Sequence, residues 1–208
     1  MPTIAFATLG CRVNQYDTDS MRGLFLAEGF TDAEFTDTAD VYVINTCSVT
    51  QMGEKKSRQL IRRAKKRNPA SKVIVTGCYA QLDPALLAAM EGVDAVVGTN
   101  EKKKIVSIVQ KLLGQEDTAT IQAVHNVLKP DAFEEIPLYP SAVEHTRADL
   151  KIQEGCNNFC TYCIIPYTRG GLKSRQPDAV IAEAKRLISF GFKELVLTGI
   201  HLGAYGKE

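Results

Sequence analysis

The chain has 208 residues, enough for one large or two small domains, and 45% of them are hydrophobic, enough to bury a core. A net charge of +1 excludes bulk electrostatics as a sign of nucleic-acid binding, and no run approaches the roughly 18 apolar residues of a membrane span. The start, MPTIAFATLGCRVNQYD, lacks a basic stretch followed by an apolar run and a cleavage site, so a soluble, cytoplasmic protein with no membrane partner is expected.

In chain order, TIAFATL (residues 3–9) reads as a buried strand. A helix is predicted over 17–28, with Met21, Leu24 and Phe25 on one face and Gly29 past its end. VYVIN (41–45) is the next strand, and the basic stretch 53–68 is a helix stopped before Pro69. KVIVTG (72–77) is a strand. Asp83 and Pro84 cap and open a helix to about residue 90. AVVG (95–98) is a short strand, and Asn100 caps a helix running to Leu113, closed by Gly114. Repeated strand–helix order implies an α/β fold: a doubly wound parallel sheet with helices on both faces, over residues 1–114.

Residues 115–149 break the pattern. They are polar, carry Pro130, Pro137 and Pro140, and read as a surface-packed linker with room for one short hairpin. A second strand–helix series begins at LKIQEGC (150–156). Pro177 opens a helix with Val180, Ile181, Ala184, Leu187 and Ile188 on one face. Gly191 ends it, and ELVLTG (194–199) is the following strand. Two such steps, over 150–208, neither close a barrel nor complete a sheet.

Six cysteines could pair as disulfides, but the chain is long for a disulfide scaffold, and a reducing cytosol keeps thiols free. Metal or cluster ligation is the better class. Cys156, Cys160 and Cys163 are spaced C-x3-C-x2-C. The other three each follow a predicted strand: Cys11 after 3–9, Cys47 after 41–45, Cys78 after 72–77. Carboxyl ends of parallel strands share one edge, where ligands bind, so these three distant cysteines can meet. Each triad lacks an obvious fourth ligand, whereas a structural zinc site closes with four. His125, His145 and His201 show no zinc-finger spacing to them. An iron–sulfur cluster held by three thiolates leaves one iron open to a substrate or cofactor. Two readings stand beside this one: a zinc-stabilised binding module, and a structural protein with buried cysteines.

Eight Lys or Arg lie between Lys55 and Arg67; they are either a solvated helix face or a phosphate-contacting patch. Arg169 and Arg175 are read equally as contacts to cofactor or phosphate and as surface charges.

The C-x3-C-x2-C motif, with Tyr162 just before its last cysteine and placed between a strand and a helix, resembles the signature of radical S-adenosylmethionine enzymes. TLGCRVNQYDTDSM, NTCSVT, VTGCYAQ and CNNFCTYCIIPYTRGG, in that order, resemble the methylthiotransferases of that superfamily. LKIQEGCNNFCTYCIIPYTRG and VLTGIHLGAYG look most like the branch acting on N6-threonylcarbamoyladenosine in tRNA. The branch acting on isopentenyladenosine usually has a Gln-Asn stretch where this chain reads Gly199-Ile200-His201-Leu202.

The resemblance implies an N-terminal methylthiotransferase domain (1–114), a linker (115–149) and the first β-α units of a partial radical SAM β/α barrel (150–208), in a chain that looks truncated and inactive alone. It implies two 4Fe–4S clusters, one on Cys156, Cys160 and Cys163 and one on Cys11, Cys47 and Cys78, with S-adenosyl-L-methionine as cofactor. Tyr162 and Gly199 would touch that cofactor, and no catalytic residue is expected beyond the cluster ligands. Asn14, Asp17, Asn45 and Thr46 match polar positions of the family's motifs; they would bond cluster sulfides or shape the loops. His201 would line the site. The implied reaction places a methylthio group on C2 of the modified adenosine at tRNA position 37. The implied partners are the tRNA anticodon loop and a flavodoxin- or ferredoxin-like electron donor protein. Isopentenyladenosine or a ribosomal-protein aspartate are the alternative targets, and the six cysteines do not discriminate among them.

Overall fold

The computed structural model describes residues 1–114, 119–129, 132–139 and 146–208. In the first unit, β1 (Thr3–Thr8) leads into α1 (Arg12–Ala27) and β2 (Thr31–Ala33). Then come β3 (Val41–Thr46), α2 (Gln51–Arg67), β4 (Lys72–Gly77), α3 (Cys78–Leu82), α4 (Pro84–Ala88) and β5 (Ala95–Val97). A single 3-10 turn at Lys102–Lys104 precedes α5 (Ile105–Leu113), and β6 (Ile121–Ala123) follows. All six strands pair in parallel, in the order β2-β1-β3-β4-β5-β6. The chain leaves β1 in one direction and returns past it to β3, so the topological switch point lies between β1 and β3.

Strand residues alternate between two buried faces, as the period of two requires. Ile4, Phe6, Val41, Val43 and Ile74 pack with Met21 and Phe25 of α1 and with Ile105 and Val109 of α5. Ala5, Tyr42, Ile44, Val73 and Val75 pack on the other side with Ile61 and Ala64 of α2, Tyr79 of α3 and Leu87 of α4. The Thr50 hydroxyl caps α2 by accepting from the Gly53 N–H at 3.0 Å. The Asp83 carboxylate caps α4 through the Leu86 N–H at 3.2 Å.

The helix expected over 17–28 starts five residues earlier, at Arg12, directly after Cys11. Its first turn has no side-chain cap and carries polar residues, so no start signal is present in the sequence. Inside the segment read as a linker, Ile121–Ala123 pairs with Ala95–Val97 and extends the sheet. A three-residue edge strand carries too little periodicity to be seen beforehand. Farther along, Ile136 and Leu138 are buried; the Tyr16 hydroxyl donates to the Ile136 carbonyl at 3.1 Å. Pro130, Pro140 and His145 lie outside the described residues.

The second unit comprises β7 (Arg147–Lys151), β8 (Gln153–Glu154), α6 (Ile165–Arg169), β9 (Lys173–Ser174), α7 (Pro177–Ser189) and β10 (Glu194–Thr198). Parallel β7 and β10 pair through the α7 crossover, and β8 pairs antiparallel with β9. Ala148, Leu150, Ile152 and Leu187 form its core, and Tyr16 of α1 joins them. Helix α1 therefore serves two cores at once.

Candidate cluster-binding site

The first triad is assembled by sheet register. Thr46 at the end of β3 stands beside Gly77 at the end of β4, so the residues that follow, Cys47 and Cys78, are neighbours. Thr8 stands beside Asn45, and the turn after it brings Cys11 to the same edge. Gly10 adopts a φ of +102°, and a Cβ there would lie 3.0 Å from Cys47 Sγ, so the turn carrying Cys11 touches the Cys47 side chain. Cys11, Cys47 and Cys78 thus meet at the carboxyl edge, beside the switch point, where such folds take ligands.

The polar residues of this region tie the loops together. Asn14 Nδ2 donates to the Leu9 carbonyl at 2.7 Å and to the Thr46 carbonyl at 3.0 Å, just ahead of Cys11 and Cys47. Asn45 Nδ2 donates to the Asn14 carbonyl at 2.8 Å. Thr46 Oγ1 donates to the Thr76 carbonyl at 2.5 Å and accepts from the Ala80 N–H at 3.3 Å. Of the two roles open to Asn14, Asn45 and Thr46, the geometry shows loop shaping.

All six cysteines are free thiols. Burial pushes the Cys47 thiol up; the charges of Cys78 and Cys11 add to it, while a Val49 backbone hydrogen bond and Arg169 oppose it. Among the described residues, no three His, Cys, Asp or Glu side chains converge on one metal ion. A single zinc needs its thiolates about 2.3 Å from one point. An iron–sulfur cluster is held by thiolates and brings its own iron and sulfide. The three free thiols of this edge are the donor type such a cluster takes, on loops that Asn14 and Asn45 tie together.

The second triad lies on the loop between β8 and α6. Its two ends are pinned: the Cys156 N–H donates to the Gly170 carbonyl at 3.1 Å. Gly155, at φ +72°, presses against the Gly170 and Gly171 carbonyls where a side chain would collide. Phe159 has a positive φ of 44° and packs edge-to-face on Tyr167 at 5.7 Å. Cys156 Sγ lies 3.8 Å from His201 Nδ1, and the His201 N–H donates to Gln153 Oε1 at 2.6 Å, so the end of β10 is clamped beside this triad. Gly199 fits closely over Gln153, where a Cβ would come within 2.9 Å of the Gln153 Cβ. Tyr162 is 90% exposed.

Between the triads lies a buried ionic network that sequence reasoning missed. Lys151 Nζ is 2.5 Å from Asp17 Oδ1 and 3.1 Å from Glu154 Oε2. Arg169 bonds Glu154 and Asn14 and is 3.3 Å from Asp17 Oδ2. Lys102 Nζ lies 3.3 Å from Glu134 Oε2 and 3.7 Å from Asp17 Oδ2. The surface-charge reading of Arg169 and Arg175 is thereby corrected: both are buried, and Arg175 pairs with Glu135 at 2.8 Å. Asp17 likewise is a buried counter-ion, paired with Lys151 and Arg169.

Charges this deep persist only when paired. Burial pushes the Asp17 and Glu154 carboxyls up, but Lys102, Lys151 and Arg169 outweigh it and hold both below their ordinary values. For Arg169, burial works against the charge, and its acidic neighbours Glu154 and Asp17 help to outweigh it. The one available signal was charge inside an otherwise apolar strand: Lys151 and Glu154 in LKIQEGC, immediately before a cysteine motif.

A parallel sheet thus gathers three cysteines at its switch point and is docked through buried charges onto a strand–loop–helix bearing C-x3-C-x2-C. Residues 3–98 match the family described as "Uncharacterized protein family UPF0004", and residues 150–205 match the Radical SAM superfamily. The chain is 51% identical over 208 residues to the threonylcarbamoyladenosine tRNA methylthiotransferase MtaB of Bacillus subtilis (strain 168), covering 100% of this chain and 46% of that protein. It is 44% identical over 206 residues to the protein of the same name from Aquifex aeolicus (strain VF5), covering 99% and 49%. It is 35% identical over 206 residues to the tRNA-2-methylthio-N(6)-dimethylallyladenosine synthase of Pelotomaculum thermopropionicum, covering 96% and 45%. The chain belongs to the radical S-adenosylmethionine methylthiotransferase family. It spans about half the length of the curated relatives it matches.

Proposed function

We propose that this chain is part of an enzyme that transfers a methylthio group to C2 of N6-threonylcarbamoyladenosine at position 37 of tRNA. The observation that carries the reading is the pairing of two cysteine triads, each short of a fourth ligand, in one docked body. Cys156, Cys160 and Cys163 would hold one 4Fe–4S cluster, and Cys11, Cys47 and Cys78 a second. When bound, the clusters and S-adenosyl-L-methionine supply the radical and sulfur chemistry.

The chain's own residues bind and orient. Asn14, Asn45 and Thr46 fix the loops of the first triad. Gly155 and the Gly170 carbonyl close the loop of the second, and Gln153 holds His201 against Cys156. Tyr162, lying in solvent, and Gly199 would meet the cofactor. The exposed cations of α2 would meet tRNA phosphates, and the base would leave the anticodon-loop stack to be reached. A flavodoxin- or ferredoxin-like protein would deliver electrons, in the cytoplasm; among the described residues no helix is long and apolar enough to cross a membrane.

The substrate is supported by relatives at 51% and 44% identity whose names specify threonylcarbamoyladenosine. Nucleoside mass spectrometry on tRNA from cells lacking the gene tests it. The 2-methylthio form is expected to vanish while its parent accumulates. Persistence of that form with loss of methylthiolated isopentenyladenosine would transfer the assignment to the other tRNA branch.

A further inference from the structure

Arg169 belongs to the second unit, at the end of α6, yet its guanidinium ends in the first. One terminal nitrogen donates to Asn14 Oδ1, the same side chain whose Nδ2 fastens the carbonyls ahead of Cys11 and Cys47. The other is taken by Glu154 and Asp17. Helix α6 packs on α3, whose first residue is Cys78. Thr99 Oγ1 donates to the Thr168 carbonyl at 2.8 Å and fixes the residue beside Arg169. The side chain is fully buried, and its Nε has no hydrogen-bond partner among the described residues. Buried donors are rarely left so without a reason.

We propose that Arg169 is a positioning residue for the cluster of Cys11, Cys47 and Cys78, set beside it as a fixed positive charge and spare donor, so that docking of the second unit sets that cluster's reduction potential. The inference rests on the cluster reading above. A 4Fe–4S core with three thiolates is already negative, and one-electron reduction, here by an added chemical reductant, makes it more so. A cation that water does not screen favours the reduced state and raises the potential. A purely structural Arg169 would affect folding and leave the potential where it was.

The test uses the full-length protein with Cys156, Cys160 and Cys163 replaced by Ala, reconstituted anaerobically, so that one cluster remains. It is titrated with dithionite and followed by electron paramagnetic resonance. R169Q is expected to lower the reduced-to-oxidised ratio at a given potential about tenfold, a shift of about 59 mV for one electron. R169K, which keeps the charge but not the fork, is expected to restore most of it. An unchanged midpoint in R169Q with full iron content overturns the inference and leaves the cluster reading standing. A protein that takes up no iron overturns both. If R169Q does not fold, the Arg169 protein labelled with 15N-arginine serves: a guanidinium hyperfine coupling to the reduced cluster supports the proposal, and its absence overturns it.

Discussion

Cys47 shares its sheet edge with Cys11 and Cys78 and lies against the turn at Gly10, and this close approach governs what substitutions do. Replacing Cys11, Cys47 and Cys78 together by Ala is expected to remove about half the iron of the reconstituted full-length protein and leave the rest on the second triad. Iron analysis checks this, and retention of the full complement would place the metal elsewhere. Gly10→Ala tests the geometry more finely. Its φ of +102° lies in the region a side chain disfavours, and the new Cβ meets Cys47 Sγ at 3.0 Å. Backbone strain of this kind costs about 1–3 kcal/mol. The expected outcome is a lower melting temperature together with iron loss confined to the first triad.

At the scale of elements, α2 shows how far a charge run can be divided by structure. Three of its eight cations are turned to the protein: Arg58 donates to the Tyr79 hydroxyl at 2.8 Å, Lys65 pairs with Asp94 at 3.1 Å, and Arg67 donates to the Phe35 carbonyl at 2.5 Å. Lys55, Lys56, Arg62, Arg63 and Lys66 are exposed. If these face RNA, changing Arg62 and Lys66 to Gln in the full-length enzyme weakens tRNA binding. It also flattens the slope of log Kd against log salt by about one per contact removed. An unchanged slope would make this helix a solvated face.

The same scale shows what could be read from sequence. Strands β3 and β4 were legible because runs of Val and Ile between turn signals are buried on both faces. The cysteine triads were legible because strand order alone places Cys11, Cys47 and Cys78 at one edge. Strands β2 and β6 were not, since three residues carry no period. Nor was the partnership of Asp17 with Lys151, because nothing local in a sequence reports a contact across 134 positions.

In the whole molecule, two units are joined by ions rather than by apolar surface alone, and this makes stability depend on pH. Asp17 and Glu154 have ordinary values of 3.8 and 4.5, and both are held lower in the fold. The unfolded chain therefore binds more protons in that range. Their contribution is complete above the ordinary values and is lost as pH falls through the folded ones. Lys151 is held above its ordinary 10.5, so its contribution is complete below that value and is lost as pH rises beyond it. Urea midpoints are expected to hold level through neutrality and to fall as the pH drops below the ordinary carboxylate values. A level midpoint across that acid range would mean that the pairs do not stabilise the fold.

Helix α1 lends Asn14, Asp17 and Tyr16 to the second unit, which answers with Lys151, Glu154 and Arg169. The halves are therefore keyed to each other, and recombination between family members cannot treat them as interchangeable modules. A chimera that grafts on a second half lacking both Lys151 and Arg169 leaves Asp17 with Lys102 alone, at 3.7 Å, and breaking buried pairs of this kind costs about 3–5 kcal/mol. It is expected to express insolubly until Asp17 is exchanged with its partners as one set, and soluble yield of the two chimeras is the comparison that shows it.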